Sequence, residues 1–143
     1  MLAYGGNMLG IGEVMDPAVV AVGVGDRLLT VEDIMTLGGV RHMPVVKAGR
    51  LVGVVSERDL LWASPSNLMD RESSDRRAFL SSVEVSRVMS SPAIVIDAKA
   101  SLRDAARMML DHRIGCLPVV DDKGQLLGML SAVSLLEAFA EDF

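Results

Sequence analysis

The sequence predicts an α+β fold built from two copies of one strand–helix–strand–strand–helix unit. The segment Gly53–Leu61 recurs 75 positions later as Gly128–Leu136, with the same glycine, serine and Leu-Leu pair. Likewise, Met43-Pro44-Val45-Val46 recurs 74 positions later as Leu117-Pro118-Val119-Val120. In both copies of the first segment two apolar residues lead into the serine, and an apolar Leu-Leu pair begins four positions after it; in the first copy Glu57, Arg58 and Asp59 lie between. This pattern predicts a buried strand that enters a helix at the serine.

A proline separates the first two elements of each copy. Val14-Met15-Asp16-Pro17 is echoed by Val88-Met89-Ser90-Ser91-Pro92, and proline disfavours helix in the residue before it. We therefore expect a short helical turn before each proline and a strand after it, at Ala18–Val22 and at Ala93–Ile96. Asp26 is expected to cap the next helix.

Glycines, a proline and serines delimit the remaining elements. Gly38-Gly39 is expected to end the helix that presents Leu28, Val31 and Met35 on one face. Ala48-Gly49 predicts a hairpin turn between Met43–Val46 and Leu51–Val55, with Pro44 near a strand start or on an edge strand. In the second copy, Ser101 and Asp104 have the spacing of a capping box.

The two repeats are expected at 12–62 and 86–140, joined by a partly helical linker at 63–85. Each repeat is too small to bury both faces of its sheet well. We therefore expect the two sheets to pack against each other about a pseudo-twofold axis, with a cleft between the repeats. The polar linker is expected to form a solvated helix. Its Arg76-Arg77 pair has an alternative interpretation as a phosphate-binding patch.

Composition excludes several classes of function. A net charge of −5 and an aromatic content of 3% argue against nucleic-acid binding. No apolar run reaches the roughly 18 residues of a membrane span, and 1–12 does not resemble a signal peptide, so we expect no membrane insertion. Cys116 is the only cysteine, which excludes an internal disulfide, disfavours zinc and fits a reducing cytoplasm. The chain has no nucleophile–base arrangement or phosphate-cradling glycine loop, so no enzyme activity is expected.

The ordered recurrence of these motifs resembles the CBS domain pair, or Bateman module. The resemblance rests on the openings at Met15 and Met89, the Pro-Val-Val strands at Pro44 and Pro118, and the Gly-x-x-Ser turns described above. As a standalone pair with a long linker between its repeats, this chain is similar to the acetoin-utilisation accessory proteins. The resemblance implies a non-catalytic module that binds AMP, ADP, ATP, NAD or S-adenosylmethionine in the cleft between the repeats. It also implies regulation of a partner protein, and homodimerisation. The partner is not identified by the sequence.

The resemblance points to Ser56 and Asp59 as ligand-binding residues. Family sites use Ser/Thr-x-x-Asp, where the carboxylate accepts hydrogen bonds from both ribose hydroxyls. Hydrogen bonds to an ionised acceptor are stronger than those between neutral groups. The same tetrad also has a purely structural interpretation as a capping box. The second copy keeps Ser131 but has Ser134 in place of the acid, so we expect one competent site rather than two.

Further ligand contacts are expected from both repeats. Family members often carry a basic residue five positions before the strand proline of the facing repeat, which is Arg113 here, whereas Gly39 holds that position in the first repeat. A charge that complements the end of its helix is the alternative role of Arg113. His112 is a possible phosphate contact or a solvent-facing residue. The other positions that match the family's adenine and phosphate contacts are Asp16, Ala18 and Val20, expected on the first strand, with Val40, Arg41 and His42. Arg58 is expected in the same region, and its alternative role is an ion pair with a nearby surface acid.

The alternative function is a structural interaction module with vestigial nucleotide sites. In either case the short helices would supply the dimer interface. The apolar residues expected there are Leu60, Trp62, Leu135, Leu136 and Phe139.

Overall fold

The computed structural model describes residues 9–64 and 74–142. The elements are α1 (Ile11–Val14), β1 (Val22–Gly23), α2 (Leu28–Gly38), β2 (His42–Lys47), β3 (Arg50–Ser56), α3 (Glu57–Ala63), α4 (Ser74–Ser82), β4 (Ile96–Asp97), α5 (Leu102–His112), β5 (Cys116–Val120), β6 (Leu126–Ser131) and α6 (Ala132–Asp142). A 3-10 turn at Val85–Arg87 precedes β4. The predicted α+β class and the strand–helix–strand–strand–helix order of both repeats are confirmed.

The chain divides into two compact units, each with its own three-stranded sheet. The first unit, Val20–Ala93, holds the sheet β1-β2-β3. The second unit contains 94–142 and also 9–19, and it holds the sheet β4-β5-β6. In each sheet the outer first strand runs parallel to the middle strand, which forms an antiparallel hairpin with the third.

The first strand of each unit is shorter than predicted and begins later. The expectation of strands at Ala18–Val22 and Ala93–Ile96 is wrong, because β1 pairs with β2 only at Val45 and Val46. The next partner along β2 would be Pro44, which has no N–H to donate. In the second unit β4 likewise pairs only with Val119 and Val120, beyond Pro118.

Local hydrogen bonds confirm most of the predicted helix ends. Ser56 and Ser101 both form reciprocal capping boxes. Gly39 ends α2 in the left-handed conformation, at φ 65°. The prediction for Asp26 was wrong: Arg27 occupies the N-cap of α2, while Asp26 Oδ2 accepts a hydrogen bond from Gly23 N at 2.7 Å. Asp26 therefore stabilises the turn before the helix and not the helix itself.

The linker helix α4 is attached to the first unit by its arginines. Arg76 is buried and forms an ion pair with buried Glu32, and Arg77 Nη1 lies 3.2 Å from Asp33 Oδ1. A buried charge that is paired in this way tolerates burial, whereas an unpaired one would not. The two arginines therefore bind α2, and the alternative of a phosphate-binding patch at this place is not supported.

Some of the apolar residues expected at the dimer interface are buried in the cores of the units instead. Leu60 and Leu135 are 3% and 5% exposed, so they belong to the cores of their units, and Phe139 is partly buried. The expectation that Leu60 and Leu135 face a partner is therefore wrong. Trp62 and Leu136, at 82% and 67% exposure, do remain on the surface.

The opening segment of each repeat packs on the other repeat. We call 11–16 the first leader and 85–90 the second leader. Asp16 and Met129 form two backbone hydrogen bonds, of 2.8 and 3.0 Å, which join the first leader to β6. Ser90 and Val54 form the equivalent pair, of 2.9 and 3.2 Å, on β3. Each unit therefore contains most of one repeat and the leader that opens the other.

Candidate functional site

The turn from β3 into α3 carries a carboxylate held by the backbone. Asp59 Oδ2 accepts a hydrogen bond from Ser56 N at 2.8 Å, and Ser56 Oγ accepts one from Asp59 N at 3.1 Å. The capping-box role of this tetrad is therefore real. Within the described part of the chain Asp59 Oδ1 forms no hydrogen bond, and the residue is half-buried. The cap fixes the carboxylate and leaves one oxygen available as an acceptor.

The strand register brings two basic residues to this turn. His42 lies opposite Ser56 in the β2–β3 hairpin, and Glu57 N donates a 2.9 Å hydrogen bond to the carbonyl oxygen of Arg41. Partial burial of the imidazole lowers the pKa of His42, while Asp59 acts in the opposite direction and Arg41 in the same direction as burial. The structure therefore places Arg41 and His42 beside the Ser56–Asp59 turn.

Two of the predicted residues line a cavity of about 290 Å³ within the first unit. Val40 and Arg41 form part of its wall, and Ser56 and Asp59 do not. Glu57, which the sequence analysis did not single out, is also part of the wall. No motif marks Glu57. Its only sequence signal was its place next to the serine of the turn.

The equivalent turn of the second unit is uncharged. Ser131 Oγ and Ser134 Oγ are 2.9 Å apart, and Ser134 N donates to Ser131 Oγ at 3.0 Å. Cys116 takes the place of His42 opposite the serine. Burial raises the pKa of the Cys116 thiol to about 11, so it stays protonated at neutral pH and is a poor nucleophile. This turn offers hydroxyl groups but neither a carboxylate nor a cation.

The remaining predicted residues are spread over both units. Asp16 and Ala18 lie before the first strand and not on it, and Asp16 Oδ1 accepts a hydrogen bond from Ala18 N at 2.9 Å. Val20, also expected on the strand, precedes it and is 56% exposed. Arg58 is exposed on α3.

His112 and Arg113 are neighbours at the end of α5, both exposed in the second unit. Arg113 adopts the left-handed conformation, with φ 55°, where the first unit has Gly39. This conformation is unfavourable for a residue with a Cβ and is rare outside glycine, asparagine and aspartate. An arginine in this conformation carries a backbone cost of about 1 kcal/mol that a glycine would not.

Taken together, the first-unit turn has the groups that a sugar and a phosphate require. A fixed carboxylate accepts hydrogen bonds from vicinal hydroxyls, and arginine and histidine suit anionic oxygens. Such a set is chemically suited to binding and orienting a ligand. Within the described residues we find no group placed to act as a nucleophile beside a base.

Comparison with known proteins identifies the family. The CBS domain model matches residues 11–66 and 85–141. A CBS domain-containing protein of Dictyostelium discoideum is 32% identical over 104 residues, which is 72% of each chain. A homoserine O-acetyltransferase of Methanohalophilus mahii is also 32% identical, but the match spans only 23% of that enzyme.

Solved structures show the same architecture. CBSX2 in complex with AMP has a TM-score of 0.77 and 27% identity, over 93% of this chain and 97% of the other. A candidate acetoin utilization protein (AcuB) from Vibrio cholerae has a TM-score of 0.75 and 28% identity, over 94% and 92%. Among the described helices, none combines the length and apolar character needed to cross a bilayer. With both of its repeats matched by the family model, this chain belongs to the CBS domain family.

Proposed function

We propose that this protein is a non-catalytic regulatory module that binds an adenosine-containing ligand at the Ser56–Asp59 turn. The observation that carries the proposal is the Asp59 carboxylate, fixed through Oδ2 by the backbone of the turn with Oδ1 left to accept hydroxyl hydrogens. Such preorganisation lowers the cost of ordering the site when the ligand binds. The ribose is assigned to Asp59.

Basic residues favour a ligand that carries phosphate. Arg41 and His42 border the turn, and Arg113 and His112 are the candidate phosphate contacts of the second unit. Val20, Val40, Ala18 and Asp16 are proposed as adenine contacts, and Arg58 as a further phosphate contact. The related CBSX2 was solved with AMP, which supports an adenine nucleotide over other anions.

The test is a calorimetric titration of the full chain with AMP, ADP, ATP, NAD and S-adenosylmethionine. Asp59→Ser gives the first turn the hydroxyl of the second, so it removes the carboxylate with little change in volume. A charged hydrogen bond contributes about 1.5–3 kcal/mol, so affinity should fall by about 10- to 150-fold. Ser134→Ala is the matched control and should leave affinity unchanged. The absence of measurable binding of any of the five compounds to the wild-type chain would refute the proposal.

We further propose that the module acts as a homodimer through its surface helices and signals to a partner protein in the cytoplasm. Leu37 and Trp62 are 89% and 82% exposed in the first unit, and Leu110 and Leu136 are 76% and 67% exposed in the second. Large apolar side chains exposed on both units favour association with another copy. The same surface would serve the alternative function, an interaction module whose nucleotide sites are vestigial.

The oligomeric state separates these roles from ligand binding. Light scattering should give twice the chain mass for the wild type and the single-chain mass for Trp62→Lys combined with Leu136→Lys. Lys123→Arg, at an exposed position in the turn before β6, is a surface control that keeps the charge. A dimer that forms without any response to the nucleotide panel would favour the alternative function.

A further inference from the structure

In each leader a methionine side chain packs directly against a glycine of the third strand of the sheet, Gly53 in β3 or Gly128 in β6. A methyl carbon built at Gly53 would lie 2.6 Å from Met89 Sδ, and one built at Gly128 would lie 2.7 Å from Met15 Sδ. These distances are well below any normal contact, so only glycine admits the thioether there. We call these pairs the methionine seats.

The seats are adjacent to the hydrogen bonds that hold the leaders. Met15 precedes Asp16, whose backbone pairs with Met129, and Met89 precedes Ser90, whose backbone pairs with Val54. A change in volume at the sulfur therefore acts directly on the backbone pairing. Both methionines are only partly buried, so a small oxidant can reach them.

We propose that Met15 is a modification site at which peroxide oxidation releases the first leader. The sulfur lone pair attacks one peroxide oxygen, an S–O bond forms, the O–O bond breaks, and the leaving oxygen departs as water after proton transfer. The thioether is oxidised by two electrons and the peroxide is reduced. The sulfoxide is larger, polar and chiral, and it disrupts a packed apolar contact.

The two leaders differ in how firmly they are held. The second leader has additional hydrogen bonds, from Val85 N to Asp26 O at 2.8 Å and from Ser86 N to Val24 O at 3.2 Å. Among the described residues, the hydrogen bonds that join the first leader to sequence-distant parts of its unit are the two between Asp16 and Met129. Oxidation at Met15 should therefore open its seat, while Met89 is held by its neighbours even when its sulfur is modified.

The experiment is hydrogen exchange with peptide mass spectrometry on the full chain before and after treatment with hydrogen peroxide. The N–H groups of Met129 and Val54 report on the first and second leaders. We expect Met15 sulfoxide to form and exchange protection at Met129 to fall by about tenfold or more, with a smaller loss at Val54. Methionine sulfoxide reductase should restore the protection.

Met15→Leu is the key variant because leucine is close in volume and cannot form a sulfoxide. Its Met129 amide should stay protected after peroxide treatment, while Met108→Leu, which removes another partly buried methionine outside the seats, should behave as the wild type. Unchanged protection in Met15-oxidised protein would overturn the proposal. So would a reduced Met15 under conditions that oxidise Met108. If Met15→Leu is itself poorly folded, reversal by the reductase in the wild type decides.

Discussion

The two strand–helix turns of this protein have the same backbone plan and different chemistry. In the first unit His42 faces Ser56, and the helix opens with Glu57, Arg58 and Asp59. In the second unit Cys116 faces Ser131, and the helix opens with Ala132, Val133 and Ser134. In both, the serine hydroxyl accepts a hydrogen bond from the N–H three residues on.

This contrast separates what the fold needs from what the site adds. The second unit forms its turn without a carboxylate, so Asp59 is not required to make a strand enter a helix at this place. The first turn instead concentrates four charged or ionisable side chains: His42, Glu57, Arg58 and Asp59. Under the proposed function these groups serve ligand binding, and the second turn provides an internal reference for that proposal.

The largest effect is expected where the two units agree. Gly53→Ala and Gly128→Ala should each destabilise the protein by about 1–3 kcal/mol, because the new methyl group would meet a thioether and a backbone carbonyl at 2.6 to 2.9 Å. The free energy of urea unfolding measures this loss. Gly12→Ala is the control, since a methyl group there meets nothing within 4 Å, and it should be neutral or slightly stabilising. A tolerated alanine at Gly128 would show that the seats are not tight.

The helix-end pair Gly39 and Arg113 should respond in opposite directions. Arg113→Gly should leave stability unchanged or raise it by up to about 1 kcal/mol, whereas Gly39→Arg should lower it by about 1 kcal/mol, because only glycine accepts φ near +60° without cost. Urea unfolding measures both. If Arg113 binds phosphate, Arg113→Gly should also weaken nucleotide binding. A variant that gains stability and keeps full affinity would leave Arg113 with no ligand role.

Exchanging the acids of the turns should have a smaller effect on stability. Ser134→Asp should complete a capping box with Ser131 and stabilise the fold by about 0.5–1 kcal/mol, and Asp59→Ser should cost a similar amount. Thermal unfolding of both single variants and the double variant checks this. The double variant should return close to wild-type stability without restoring ligand affinity, because the cations remain at the first turn. Full recovery of affinity would contradict the assignment.

The smallest effect is the pH dependence contributed by His42. Its pKa is lowered in the folded state from 6.5, so the unfolded chain binds the proton more readily. Stability from this group is complete above 6.5 and is lost as the pH falls through the lower, folded pKa. His42→Gln should therefore reduce the difference in unfolding free energy between about pH 7.5 and about pH 5.5. Cys116→Ser, at the matching position of the second unit, should leave that difference unchanged.

Local sequence patterns predicted the elements that depend on neighbouring residues. The capping boxes at Ser56 and Ser101, the glycine stop at Gly39 and the hairpins all follow from hydrogen bonds across a few positions. The length of β1 was predicted wrongly because it depends on Pro44, a partner across the sheet. The helix periodicity marked Leu60 and Leu135 as apolar, but packing decided that they face the cores while Leu136 and Trp62 face outward.

The sequence by itself determined that the chain contains two related α+β repeats, with a carboxylate in one turn and a serine in the other. Only the tertiary structure decided which leader completes which unit, because the bonds Asp16–Met129 and Ser90–Val54 join residues distant in the chain. It also decided that Arg76 is a buried partner of Glu32, a pairing 44 positions apart that no local pattern encodes. Short-range hydrogen bonds depend on the identity of neighbouring residues and can be predicted from them. Burial, ion pairs and long-range backbone hydrogen bonds depend on which distant segments come into contact.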